Sequence, residues 1–209
     1  MATPRIIADV IFSSVTRLAA AIRASQISAA EVLEEHLVQI ANRNPALNAV
    51  ITIDVGQAQE RARAADAALA RDEVWGPLHG VPFTLKDAHS TAGLRTTVGF
   101  PPLADHVPAE DSTVTARLEQ AGGVLIGKTN APVMLADFQT NNPVFGRTNN
   151  PWNVERTPGG SSGGAAAALA SGMTPFEIEP ICPARFDCQH IFVACLVLSR
   201  LKDGSRWLD

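Results

Sequence analysis

Lys86 closes the apolar run VPFTL and is followed directly by Asp87. A lysine leaving a buried strand either extends its ammonium to water or keeps it inside. Inside, desolvation disfavours the charged form, and a neutral amine can take a proton from a hydroxyl. Hydroxyls of the right kind occur in "PGGSSGGAAAALASG", residues 158–172, where Ser161 and Ser162 stand among Gly159, Gly160 and Gly163. Glycines open backbone conformations closed to other residues and let a substrate approach closely. An alanine-rich helix over 163–171 follows at once. Its N-terminal amides point at the loop, where they favour a developing negative charge. A flexible linker begins the same way, but the immediate helix argues against one. Serine–lysine proton transfer is one of the known variants of triad chemistry.

A second lysine lies in "GGVLIGKT", residues 122–129, which matches the phosphate-loop pattern of nucleotide hydrolases. There Lys128 would meet phosphate and Thr129 magnesium. The context disagrees: a helix precedes the stretch, its middle is apolar and strand-like, and Asn130-Ala131-Pro132 makes a poor helix start. A nucleotide site at Gly122 to Thr129 is therefore the weak alternative.

The elements that must position these groups alternate in type. A short amphipathic helix spans 13–25. Ser28 and Glu31 form a capping box for a helix that reaches about Asn42 and ends before Asn44-Pro45. A strand over 49–53 and a helix over 56–71 follow. Residues 81–85 are a short apolar run ending in Lys86-Asp87. Asp111 or Ser112 caps a helix through Gln120, residues 124–126 form a short buried strand, and 143–156 are irregular. Alternating helices and strands give an α/β class.

Composition narrows the possibilities further. The 209 residues carry a net charge of −4 and are 46% hydrophobic, which suits a globular domain and not a nucleic-acid or membrane-surface binder. No segment has the ~20 apolar residues of a membrane span, and no signal peptide is evident, so a cytoplasmic location is expected. Cys182, Cys188 and Cys195 lie together near the C-terminus in a spacing that fits no zinc pattern. No metal or other cofactor is expected.

Four stretches together resemble the amidase signature family: "GPLHGVPFTLKD" (76–87), "DSTVTARLEQAGGVLIGKTNAP" (111–132), "NPVFGRTNNPWN" (142–153) and "TPGGSSGGAAAALASG" (157–172). The resemblance runs from residue 13 to about 178 and implies a mixed sheet with helices on both faces. It implies amide hydrolysis of a small-molecule substrate by a serine–cis-serine–lysine triad without a cofactor. Lys86 matches the lysine of that triad and Ser161 the bridging serine, which follows a cis peptide bond. Ser162 matches a neighbour outside the relay, in a supporting loop with Gly159, Gly160 and Gly163. The A-type component of an amidotransferase is the alternative within the family, although "LADFQTNN" looks more like free-standing amidases. A non-catalytic remnant that associates with a full-length paralogue is another.

The family's nucleophilic serine belongs twenty-four residues past the bridging one, in a motif of the type D-x-[GS]-G-S-I-R. Arg185 stands there, within "EPICPARFDCQH". Back-translation suggests why. With suitable codons, one G added after the codon for Ile178 turns residues 178–195 into IGADLSGSIRLPAHFCGV, and the rest into FGLKPTEGRVSLAG. That is the family motif, with serine at the position of Arg185. The expectation is an amidase-domain part over 1–178 and an out-of-frame tail over 179–209. It follows that the nucleophile is missing, the chain is inactive and its solubility is poor.

Overall fold

The computed structural model describes residues 10–178. Helix α1 (Val15–Arg23) starts at Ser14, whose hydroxyl accepts from the amide of Arg17. Helix α2 (Ala29–Leu47) opens with the full capping box between Ser28 and Glu31, satisfying two otherwise orphaned donors. Strand β1 (Val50–Ile53) leads through the N-cap Asp54 into α3 (Val55–Leu69). Strand β2 (Pro82–Lys86), helix α4 (Thr113–Gln120, capped by Ser112) and strand β3 (Val124–Thr129) follow. A small hairpin of β4 (Asn141–Asn142) and β5 (Gly146–Arg147) precedes α5 (Gly163–Ala170) and β6 (Glu177–Ile178).

The main sheet runs β1-β3-β2-β6. β1 is antiparallel to β3, while β2 is parallel to both β3 and β6, so the sheet is mixed. Both faces carry helices. On one, Val81, Val124 and Ile126 share a core with Leu18 and Ile22 of α1, Val32 and Leu33 of α2, Ala62 of α3 and Ala167 of α5. On the other, Phe83, Leu85 and Leu125 pack with Val114 and Leu118 of α4. Each fully buried Val, Leu or Ile here contributes about 1.5–3 kcal/mol by leaving water.

Two glycines permit backbone approaches that a side chain would block. A Cβ on Gly127 would stand 2.1 Å from the Thr52 carbonyl oxygen, between β1 and β3. One on Gly164 would stand 2.3 Å from the Asn130 carbonyl, where the first turn of α5 meets the end of β3.

Three sequence expectations need adjustment. α2 does not stop before Asn44-Pro45: it carries Pro45 inside and ends at Leu47. Proline removes one hydrogen bond, which matters least in a final turn. That turn has replacements, because the Asn44 side chain accepts from the amides of Ala49 and Val50, and Asn48 caps the helix at φ 51°. The strand expected over 124–126 continues to Thr129, since pairing with both β1 and β2 extends it. The stretch 143–156 contains the two residues of β5 and an Asn150–Asn153 bridge.

Candidate active site

Lys86 is the last residue of β2 and pairs with Thr129 in the parallel register. It is fully buried. Its Nζ donates to Ser161 Oγ at 2.9 Å and to Ser162 Oγ at 2.8 Å. The peptide bond between Gly160 and Ser161 is cis. The fold thus brings together, across seventy-five positions of chain, the two groups that the sequence singles out. Ser162 stands as close to the ammonium as Ser161 does.

The loop is held from below. Thr140 donates its hydroxyl to the Gly159 carbonyl and accepts from the amide of Gly163, both at 2.9 Å. Gly159 donates its amide to Thr157 Oγ1 at 3.0 Å. Ser162 is the N-cap of α5 yet its hydroxyl does not cap the helix; it faces Lys86 instead. The N-terminus of α5 therefore lies beside the two serines, with its first amide held by Thr140, and anionic charge is favoured there.

Behind Lys86, strand alternation sends the next polar groups to the other side. Asp87 is buried and accepts from the Thr97 hydroxyl at 2.6 Å and the Thr97 amide at 3.2 Å. Burial raises its pKa, and the Thr97 bonds and Lys128 oppose this. Lys128 is also fully buried and donates to the carbonyl of His89. Burial pulls its pKa down to about 8, against the pull of Asp87, Glu177 and Asp111. Burial, then the positive charges of Lys128 and Lys86, bring His89 down to about 4 and keep it neutral. Glu177 on β6 accepts from Thr84 Oγ1 at 2.7 Å and from Thr129 Oγ1, tying three strands together beneath the lysine.

Sequence reasoning did not single out Asp87, His89 or Glu177 as parts of a cluster, and it considered Lys128 only for phosphate. The signal available was a lysine inside an apolar strand, VLIGKT, repeating the pattern of VPFTLK. Residues 122–129 form a turn after α4 and then a strand, with the Lys128 ammonium spent on a backbone carbonyl. They build no cradle of loop amides before a helix.

Among the described residues, no group of three or more His, Cys, Asp or Glu side chains could hold a metal ion. None of the described helices is long and apolar enough to cross a membrane. A cavity of about 620 Å³ lies between α2, the 151–154 loop and the end of α5, and neither Lys86 nor Ser161 lines it. Arg185, the three cysteines and the rest of 179–209 lie outside the described residues.

Comparison with known proteins matches residues 31–178 to the amidase family. The chain belongs to that family. Its described part is similar to a bacterial aryl acylamidase of the amidase signature family, at 35% identity and a TM-score of 0.75 over 79% of this chain and 35% of that one. It is similar to 6-aminohexanoate cyclic dimer hydrolase, at 32% identity and a TM-score of 0.72, covering 80% of this chain and 33% of that one. It is 45% identical over 170 residues to the A component of glutamyl-tRNA(Gln) amidotransferase from Acidothermus cellulolyticus, covering 81% of this chain and 34% of the relative. The chain spans about a third of the length of the curated relatives it matches. These matches give the chain the family's mixed α/β fold.

Proposed function

We propose that the amidase from which this chain derives hydrolyses the carbon–nitrogen bond of a small-molecule amide in the cytoplasm. The contact of Lys86 Nζ with Ser161 Oγ, 2.9 Å at the end of β2, carries this reading. Lys86, as a neutral base, takes the proton of Ser161, and Ser161 takes that of the nucleophile. The nucleophile attacks the carbonyl, the proton returns to the leaving amine, and water releases the acyl group. Gly159, Gly160 and Gly163 give the loop its path, and the α5 amides favour the charge that develops.

The nucleophile is the serine that one added base would write at the position of Arg185. In the frame as it stands, residues 1–178 are the amidase part, residues 179–209 are out of frame, and the chain has no turnover. Association with a full-length paralogue is the role left to such a chain. Similarity to the A components of glutamyl-tRNA(Gln) amidotransferases favours a second reading, in which the parent is one component of an amidotransferase. In the first reading no nucleic acid, membrane, metal or cofactor enters the reaction.

The first test is to sequence the gene across codons 170 to 215, then to express the chain with and without the added base. The restored protein is expected to release ammonia from simple amides, and Lys86→Ala and Ser161→Ala to slow that release by orders of magnitude. Turnover by the 209-residue chain itself, lost on Lys86→Ala, would overturn the claim of inactivity.

A further inference from the structure

Lysine is scarce in this chain. It occurs at positions 86, 128 and 202, while the other basic side chains are arginine and histidine. Both lysines among the described residues are fully buried, and both meet the turn after β2, Lys86 through its backbone carbonyl and Lys128 through its ammonium. Arginine cannot give up its proton under ordinary conditions, whereas lysine can. A pair of lysines in one buried place therefore asks which of them keeps its charge.

The surrounding carboxylates answer. Asp87 follows Lys86 on β2, Glu177 lies on the neighbouring β6 beneath it, and Asp111 stands before α4. Each favours the charged form of Lys128. Lys128 supplies the offsetting charge. Its ammonium is anchored on the His89 carbonyl, and the His89 amide in turn donates to the Lys86 carbonyl at 3.1 Å. The two lysines thus share one hydrogen-bonded turn. His89, wedged there with its Nε2 unpartnered, is held neutral and adds no charge.

We propose that Lys128 is a positioning residue for Lys86: it balances the carboxylates around the turn, holds that turn through the His89 carbonyl, and so lets Lys86 lose its proton. Lys128 touches neither serine and takes no part in bond making. The inference rests on reading Lys86 as the base of the proposed reaction. Its test needs no turnover, so its failure and that of the hydrolase reading can be told apart.

The side-chain nitrogens of the 15N-lysine-labelled chain, carried by a lysine-free solubility tag, are titrated by NMR; three lysines make the assignment direct. In Lys128→Met the Lys86 midpoint is expected to rise by about one pH unit or more. In Lys128→Arg, which keeps the charge, it should stay where it is. Asp87→Asn removes a carboxylate and should lower the midpoint, which gives an independent reading if Lys128→Met does not fold. The frame-restored protein carries the same expectations and replaces the fused chain if that aggregates. A Lys86 midpoint that stays or falls in Lys128→Met, or that stays or rises in Asp87→Asn, overturns the proposal.

Discussion

At the scale of residues, the contact between Lys86 and two hydroxyls makes the serines separable by experiment. In the frame-restored protein, loss of the bridging hydroxyl in Ser161→Ala should lower kcat about 10²–10⁴-fold, the range for a lost proton-transfer step. Ser162→Ala removes one hydrogen bond to the lysine and leaves the relay, so about a tenfold loss is expected. Equal losses in the two variants would place Ser162 inside the relay. The pairing of Lys86 with the glycine–serine loop was legible in the sequence, because a lysine ending an apolar strand and serines preceding a helix each announce themselves locally. The cluster of Asp87, His89, Lys128 and Glu177 was not. Its members come from β3, β6 and the turn after β2, and only strand register brings them together.

At the scale of elements, the site depends on how closely α5 lies against the end of β3. Gly164→Ala would press a methyl into the backbone of Asn130 and shift the helix whose first residues follow Ser161. Such overpacking typically costs about 1–3 kcal/mol. A lower melting temperature together with a loss of kcat is expected in the restored protein; unchanged activity would show that the loop is placed without α5. Ser28→Ala tests the other kind of control. It removes the capping box of α2, far from the serines, and should cost about 1 kcal/mol of stability with activity kept. The cap at Ser28 was readable in advance, and that at Ser112 was narrowed to Asp111 or Ser112, since capping is a matter of neighbours in sequence. The end of α2 was not, because the bonds made by the Asn44 side chain to Ala49 and Val50 compensate for Pro45.

At the scale of the whole molecule, stability should depend on pH through His36. This side chain is fully buried on α2, and its Nδ1 lies 2.9 Å from the Gly172 carbonyl after α5. Burial lowers its pKa to about 4. The unfolded chain, near 6.5, binds the proton more readily, so stability is full above about pH 6.5 and is lost as the pH falls toward 4. The loss is on the order of 3 kcal/mol, at about 1.4 per unit. Melting temperatures of the restored protein at pH 7 and pH 5 should differ, and His36→Leu should shrink the difference; an unchanged difference would remove His36 from the account. On the proposed frameshift, the 209-residue chain is expected to melt broadly and to aggregate with concentration, since an out-of-frame tail would not supply the family's remaining strands. A sharp, reversible melt of a monomer would contradict this. The fold class was readable because helix and strand patterns are local. The order β1-β3-β2-β6 was not, because pairing partners are set by packing across the whole sheet.

The distance along the chain between Lys86 and Ser161 has a consequence for the newborn polypeptide. A ribosome adding about 5–20 residues per second needs about 4–15 s to travel from one to the other. Throughout that interval the lysine has no serine to meet. It is a side chain on an unfinished sheet. On the proposed reading, the proton relay can assemble only when the glycine–serine loop has left the ribosome and closed over the lysine, after most of the described fold has been made.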